Sequence, residues 1–287
     1  MVETNLMSEK VVRVGFLKVG NIGTSTLIEL LLDERAERKD IDVRVVTTGA
    51  KMTVDGAEEA AKELLRFNSD LAIVSSPNAA LPAPKKAREV LAEAGVPTIV
   101  VSDYPARKAI PELEEKGFGY IIIQADSMIG ARREFLDPAE MALFNADVIK
   151  VLAATGAFNV VFMELDRVIS QIKAGEKPEL PRVVVNRETA VRAAGFSNPY
   201  AQAKARAAYE IASRVAAVSS EACFKVQEWT LYTSLCATAH EMMRVAAMLA
   251  DEAREIEKYG DTVFRRPHHS DGTVLSKVKL FEKPKRP

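Results

Sequence analysis

The chain contains few of the residues on which several kinds of catalytic site depend. Its 287 residues include only three histidines, His240, His268 and His269, and two cysteines, Cys223 and Cys236. A serine–histidine triad, a histidine zinc site and a P-loop therefore lack their residues. The cysteines fit neither a zinc spacing nor a secreted disulfide framework, so buried free thiols are the favoured interpretation. If the chain is an enzyme, its chemistry works without a strong protein nucleophile or a metal.

The chain also lacks an excess of charge and long apolar runs. The net charge is −1, so no global basic field points to nucleic acid. No run of about eighteen apolar residues occurs, and the opening MVETNLMSEK has no apolar segment typical of a signal peptide. A content of 48% hydrophobic and 28% charged residues is typical of a soluble globular protein. We expect a cytoplasmic protein that binds neither nucleic acid nor membranes.

What is present is a recurring pattern of short β-branched runs separated by helix-like segments. The runs are apolar on successive residues, which is typical of strands covered on both faces. This alternation predicts an α/β fold with a Rossmann-like doubly wound parallel sheet of about six strands. The predicted strands are 11–17, 42–46, 71–74, 98–101 and 120–123, with a sixth candidate at 182–185, and the predicted helices between them include 25–36, 84–94 and 108–116.

The pattern becomes mainly helical after residue 123. Helices are predicted over 138–155 and 160–174, the first with Asp137 as its N-cap. Residues 199–259 are rich in alanine, and long helices of this kind often bury a face against a partner subunit. His240 is expected to be packed there or to lie at an interface. The predicted parts are an extension (1–10), an α/β ligand-binding domain (11–136), a mainly helical region with one returning strand (137–259), and a polar, peripheral tail (260–287).

Polar residues follow the predicted strands, where ligands bind in an open parallel sheet. Hydroxyls, amides and glycines at this edge favour a planar, anionic ligand that forms hydrogen bonds. Each loop taken alone is better interpreted as an ordinary turn or helix cap, whereas five such loops together favour binding. The first and third loops supply Lys18, Gly20, Asn21, Ile22, Gly23 and Thr24, and Ser75, Ser76, Pro77 and Asn78.

The first loop is only part of a dinucleotide fingerprint. Gly20 and Gly23 form G-x-x-G, without the middle glycine of G-x-G-x-x-G. The second strand is followed by Thr47-Thr48-Gly49, which lacks the acid that holds an NAD ribose. NADP stays open, because Lys51 is placed to meet a 2′-phosphate.

The segment ADSMIGARREFLDP is the densest in charged residues. It follows the fifth strand and contains Asp126, Arg132, Arg133, Glu134 and Asp137. An arginine pair near a strand end can hold a carboxylate or a polar heterocycle in fixed geometry. A salt-bridge cluster is an equal alternative for Glu134 and Asp137, whereas the position of Asp126 at the strand end favours function.

Long motifs resemble one known family. KVGNIGTS, TGAKM, SSPNAALPAPKKARE, ADSMIGARREFLDPAEMALFNADVIKVLAATGA and AAGFSNPYAQAKARAAYEIA together resemble the coenzyme F420-dependent methylenetetrahydromethanopterin dehydrogenases. The likeness extends from about residue 11 to residue 277, and its GARREFLDP block is far more specific than the glycine loop.

The resemblance implies an archaeal, cytoplasmic enzyme of one-carbon metabolism and methanogenesis. Such an enzyme reversibly transfers a hydride from methylene-tetrahydromethanopterin to coenzyme F420, a dissociable cosubstrate, without a metal. It implies a homohexamer built as a trimer of dimers. The first and third loops would then hold the coenzyme, with Lys18, Lys51, Lys85 and Lys86 as candidates for its anionic tail. The pterin would contact Asp126, Ser127, Met128 and Ile129, and the catalytic candidates are Asp126, Arg132 and Arg133.

Three positions depart from the pattern of that family. Ser127 stands where proline is expected, Thr26 where proline follows the glycine loop, and Leu81 where a smaller residue is expected. Ser127 and Leu81 flank the predicted cleft. Two alternatives therefore stay open, an NADP-linked pterin dehydrogenase and a non-catalytic paralogue that binds deazaflavin or pterin.

Overall fold

The fold is built on a six-stranded sheet with the order β2-β1-β3-β4-β5-β6, in which every neighbouring pair is parallel. A computed structural model describes residues 10–127 and 137–287. The strands are β1 (Val12–Lys18), β2 (Ile41–Thr47), β3 (Leu71–Ser76), β4 (Thr98–Asp103), β5 (Gly119–Ile123) and β6 (Arg182–Val185). The prediction of a doubly wound parallel sheet is confirmed, and the strand limits lie within two residues of those expected.

Helices cover both faces of the sheet. They are α1 (Gly23–Leu32), α2 (Val54–Leu65), α3 (Pro82–Glu93), α4 (Ile110–Glu115), α5 (Pro138–Thr155), α6 (Ala157–Lys173), α7 (Arg187–Ala194), α8 (Pro199–Lys225) and α9 (Trp229–Tyr259). One core packs the sheet against α1, α5 and α6, and the cores on the other face use α2, α3 and α4. All residues of β3, β4 and β5 are buried, because both faces of these strands are covered.

Local sequence explains where several helices begin and end. Asp137 accepts a hydrogen bond from the Ala139 N–H at 3.3 Å, which confirms the predicted N-cap of α5. The predicted helix 25–36 begins two residues earlier and ends as a 3₁₀ turn, Asp33–Ala36. The predicted helix 108–116 is a 3₁₀ turn, Tyr104–Ala109, followed by α4, and each piece has a proline in its first turn.

The helices α8 and α9 are joined by a short connection and pack along each other. His240 of α9 is buried and stacks on Phe144 of α5 with 4.7 Å between ring centroids, so the prediction that it is packed is confirmed. Cys236 is buried and free. Within the ranges described above, no single helix is long and apolar enough to cross a bilayer, and the pair α5 and α6 has that length and composition only when joined across a 69° bend.

The tail lies at the surface of the α/β part of the chain and contacts it through His268. It contains the antiparallel pair β7 (Phe264–Arg265) and β8 (Val278–Lys279). Between these strands, the His268 Nδ1 lies 3.0 Å from Glu34 Oε2 and the Nε2 lies 2.7 Å from Asp166 Oδ1. We call His268, Glu34 and Asp166 the tail clasp. Burial lowers the pKa of His268, but hydrogen bonds with the two carboxylates outweigh this effect and raise the pKa to about 9.

Candidate active site

The carboxyl ends of β1 and β3 form the topological switch point of the sheet. The chain leaves β1 towards β2 and returns to β3 on the other side of β1, and doubly wound sheets bind ligands beside the loops that follow two such strands. The Val19 N–H donates to the Ser75 carbonyl at 2.9 Å. The hydroxyl oxygens of Ser25 and Ser75 lie 2.8 Å apart and are buried. The structure therefore brings the two predicted coenzyme loops together.

Gly20, which follows β1, lies against residues that follow β2 and β3. Its N–H donates to Thr48 Oγ1 at 3.3 Å, and its φ of +80° is in the region that favours glycine. A Cβ at this position would lie 2.7 Å from the Met52 Sδ and 3.0 Å from the Pro77 Cδ. Both the conformation and the lack of space thus require glycine here.

The lysines predicted for the coenzyme tail are mostly engaged in ion pairs. The Lys18 Nζ lies 3.1 Å from Glu29 Oε2 on α1. On α3, Lys85 pairs with Glu112 at 3.0 Å and Lys86 pairs with Glu58 at 3.2 Å. Lys51 is exposed after β2. In the first loop, Asn21 is exposed, whereas Ile22 and Thr24 are buried.

The loop after β3 is held by Ser102 of β4 and by Arg88 of α3, and sequence reasoning missed Arg88. The Ser102 hydroxyl donates to the Ser76 carbonyl at 2.6 Å and accepts from the Ala79 N–H at 3.1 Å. The fully buried Arg88 donates to the Ala79 carbonyl at 2.6 Å. Burial lowers the pKa of Arg88, against the opposing effect of Glu112.

A signal for Arg88 is present in the sequence. Arg88 lies four residues after Pro84, on the same stripe as Ala87 and Leu91, and all four residues are buried. In PAPKKARE it lies close to two lysines along the chain, which suggests a solvated charged face. In a helix, however, Arg88 lies on the same side as Pro84 and Leu91, and this spacing indicates burial.

Asp126 ties the end of β5 to the start of α1. Its Oδ1 accepts from the Gly23 N–H at 2.7 Å and its Oδ2 accepts from the Thr24 N–H at 3.0 Å. The side chain is fully buried, and this burial raises the pKa of Asp126 to about 6 although the hydrogen bonds from Thr24 and Gly23 oppose the shift. The predicted contact of Asp126 with a pterin stays a prediction.

A second buried carboxyl group and a buried phenol lie at the same edge. Asp103 is the last residue of β4 and accepts from the Tyr104 N–H at 2.6 Å. Burial, assisted by the charge of Asp126, raises the pKa of Asp103 well above its usual value. Tyr209 of α8 donates to the Val185 carbonyl, and burial raises the pKa of Tyr209. The edge thus concentrates groups whose charged forms are unfavourable, which is common at functional sites.

The remaining predicted residues follow Asp126. Ser127 is buried. Met128, Ile129, Arg132 and Arg133 lie outside the described residues, as does Glu134. In the described part of the chain, no three His, Cys, Asp or Glu side chains form a group that could hold a metal ion.

Comparison with known proteins places the chain in a family. The family model for methylene-5,6,7,8-tetrahydromethanopterin dehydrogenase matches residues 12–285. The chain belongs to this family. F420-dependent methylenetetrahydromethanopterin dehydrogenases from Archaeoglobus fulgidus and Methanocaldococcus jannaschii are 62% and 52% identical to it, over 96% of this chain and 99% of each relative. The family resemblance read from the motifs is thereby confirmed.

A solved structure matches the whole fold. It is an F420-dependent methylene-tetrahydromethanopterin dehydrogenase in complex with methylene-tetrahydromethanopterin and coenzyme F420. It is 49% identical to the chain, with a TM-score of 0.91, and the match covers 96% of this chain and all of that one. The family and the fold thus agree over nearly the full length of both proteins.

Proposed function

We propose that the chain catalyses reversible hydride transfer from methylene-tetrahydromethanopterin to coenzyme F420. The methylene carbon loses a hydride and becomes the methenyl cation, and the deazaflavin ring of F420 gains that hydride together with a proton from solvent and is reduced. The observation that carries this proposal is the likeness to the ternary-complex structure, at 49% identity and a TM-score of 0.91. The two ligands supply the reacting atoms, so the protein contributes by aligning two rings and excluding side reactions.

The coenzyme side of the site is assigned to the two loops at the switch point. Support comes from their hydrogen bonds to each other and from the absence of an acid in the Thr47-Thr48-Gly49 stretch that follows β2. Coenzyme F420 has one phosphodiester and no adenine ribose, so it needs no such acid. The coenzyme-binding residues in this proposal are Lys18, Gly20, Asn21, Ile22, Gly23, Thr24, Ser75, Ser76, Pro77 and Asn78.

The pterin side is assigned to the segment that follows β5. Asp126 and Ser127 begin this segment beside the start of α1, next to the coenzyme loops. Carboxylates and arginines suit the amide and amino edge of a pterin. The residues proposed here are Asp126, Ser127, Met128 and Ile129, with Arg132 and Arg133 assisting.

A spectroscopic assay tests the reaction. The purified chain, mixed with coenzyme F420 and methylene-tetrahydromethanopterin without oxygen, is expected to bleach the visible deazaflavin band. Replacing F420 by NADP⁺ should give no turnover. Lack of bleaching together with lack of binding of either ligand would refute the proposal. Binding without turnover would indicate the non-catalytic alternative, and Ser127→Pro would then test whether activity returns.

We also propose a homo-oligomer, a hexamer built as a trimer of dimers. Support comes from apolar side chains of α9 that are about half exposed, namely Trp229, Leu231, Val245 and Met248. Light scattering on the purified chain measures the assembly, and Val245→Glu is expected to weaken it. A cytoplasmic location and the limits of the parts at residues 136 and 259 remain proposals from the sequence.

A further inference from the structure

We propose that Asp126 determines coenzyme specificity by filling the phosphate position at the start of α1. Doubly wound folds hold the pyrophosphate of a dinucleotide at the N-terminus of the helix after β1. In this chain a carboxylate of the protein occupies that position, so coenzymes that must place a phosphate there are rejected. The inference rests on the coenzyme site proposed above and adds what that site excludes.

The N–H groups at the start of α1 already have acceptors within the protein. A helix leaves its first N–H groups without partners inside the helix, and an anion is held by these groups. Here the Gly23 and Thr24 N–H groups donate to Asp126 at 2.7 and 3.0 Å. The Ser25 N–H donates to the Ile22 carbonyl at 3.0 Å. The first three donors of α1 are therefore all used by the protein.

The surroundings of Gly23 leave little space for a phosphate and contain a carboxyl group. A Cβ at this position would lie 2.6 Å from Val148 Cγ1 and 2.9 Å from Asp126 Oδ1, so the helix start is closely packed against α5 and Asp126. A phosphate approaching these N–H groups would have to displace the carboxylate or lie beside it. Two anions at that distance repel strongly where the surroundings are buried.

The origin of this cap also matters. The N-cap of α1 is Ile22, whose side chain cannot accept a hydrogen bond. The acceptor instead comes from Asp126, 103 residues along the chain from Gly23. A local serine or aspartate would cap the helix without placing a carboxylate from the pterin side at the switch point. The long-range cap thus links phosphate exclusion to the proposed pterin side.

Binding of phosphate probes tests the proposal. Inorganic pyrophosphate and NADP⁺ are titrated calorimetrically into the full chain, Asp126→Asn and Asp126→Ala. Asp126→Ala, which removes both the charge and the bulk of the side chain, is expected to bind these probes at least about tenfold more tightly than the unmodified chain. Asp126→Asn removes the charge and keeps the bulk, so its smaller gain measures how much of the exclusion is due to charge. If Asp126→Ala does not fold, Asp126→Ser, which also shortens the side chain, decides the result. A folded Asp126→Ala or Asp126→Ser that binds the probes no better than the unmodified chain would make Asp126 a structural cap only and overturn the proposal.

Asp103→Asn is the matched control. Asp103 is also a buried carboxyl group at a strand end, but it accepts from Tyr104 and does not contact α1. Asp103→Asn should leave the binding of pyrophosphate and NADP⁺ unchanged. If this variant binds them as tightly as the Asp126 variants do, the net charge at this edge of the sheet, and not Asp126, excludes phosphate. Titration of F420 into the unmodified chain is a separate measurement. If the unmodified chain does not bind F420, the proposed function is refuted. The comparison of pyrophosphate binding between the chain and its variants is unaffected by that result.

Discussion

Asp126 and His268 are both buried ionisable groups, but their surroundings differ. Asp126 is fully buried and contacts backbone N–H groups at the start of α1, with no cation among the hydrogen-bond partners that the described residues provide. His268 lies between the carboxylates of Glu34 and Asp166, and its side chain is only 2% exposed. One group keeps a charge that its surroundings disfavour, and the other has partners that favour its charge.

The two groups therefore differ in their effect on stability, which indicates different roles. A carboxyl group whose pKa rises from 3.8 to about 6 on folding costs about 3 kcal/mol of stability at neutral pH. A histidine whose pKa rises from 6.5 to about 9 contributes about 3 kcal/mol while it stays charged. Proteins retain such costs mainly at functional sites. The tail clasp, by contrast, has the features of a contact that serves stability.

Removal of the tail clasp should have the largest effect on stability. His268→Ala is expected to lower the free energy of unfolding at pH 7 by about 3 kcal/mol, because it removes both ion pairs. Since folding raises the pKa of His268, the contribution is complete below about pH 6.5 and is lost as the pH rises through about 9. Urea unfolding between pH 6 and 10 measures both effects.

The neighbouring His269 is the control for the clasp. Its ring is about 40% exposed and pairs with Asp271 at the surface, so His269→Ala should cost less than about 1 kcal/mol. Equal losses in the two variants, or an unchanged pH slope in His268→Ala, would contradict the role of the clasp.

Gly20→Ala should give the next largest effect and separates packing from backbone strain. Gly49 has a φ of +61° and no atom within 4 Å of an added Cβ, so Gly49→Ala should cost about 1 kcal/mol from conformation alone. Gly20→Ala adds a close contact with the rigid Pro77 ring at 3.0 Å, besides one with the flexible Met52 side chain, and should cost about 2 kcal/mol. It should also weaken F420 binding, which titration measures. Equal costs at the two glycines would show that the switch-point loop can move.

Asp126→Asn should stabilise the protein at neutral pH. The variant removes a charge cost of about 3 kcal/mol but replaces one acceptor by an NH2 donor that faces a backbone N–H, at a cost of about 1 to 2 kcal/mol, so a gain of about 1 to 2 kcal/mol is expected at pH 7. Because folding raises the pKa of Asp126, wild-type stability falls from about pH 4 to about pH 6 on account of this group. The gain should therefore vanish at pH 4. Urea unfolding of both proteins at the two pH values measures it, and an equal difference at both would contradict the charge cost.

The Ser25–Ser75 hydrogen bond should have the smallest effect. Ser75→Ala leaves the buried Ser25 hydroxyl without this partner and should cost about 1 to 2 kcal/mol. The double variant Ser25→Ala/Ser75→Ala should be nearer to the unmodified protein than the sum of the single changes, because neither position then keeps an unmatched hydroxyl. A double-mutant cycle by urea unfolding measures this coupling, and strict additivity would argue against it.

The sheet was predictable because its strands are unbroken apolar runs, and the meeting of the β1 and β3 loops followed from the rule for parallel sheets. Contacts between distant segments were not predictable. Nothing near Ile22 in the sequence indicates that its helix is capped by Asp126, and nothing in the polar tail marks His268 for burial. The burial of Arg88 was partly predictable, because its spacing along the helix indicates burial although its charged neighbours in the sequence indicate exposure to solvent.

The tail clasp also bears on the rates at which the protein folds and unfolds. His268 joins two groups that lie 234 and 102 residues away along the chain. Contacts between such distant segments carry a large cost of loop closure, so we expect this one to form after the folding transition state. Its loss should then leave the refolding rate nearly unchanged and speed unfolding. The clasp would thus act mainly on the lifetime of the folded protein.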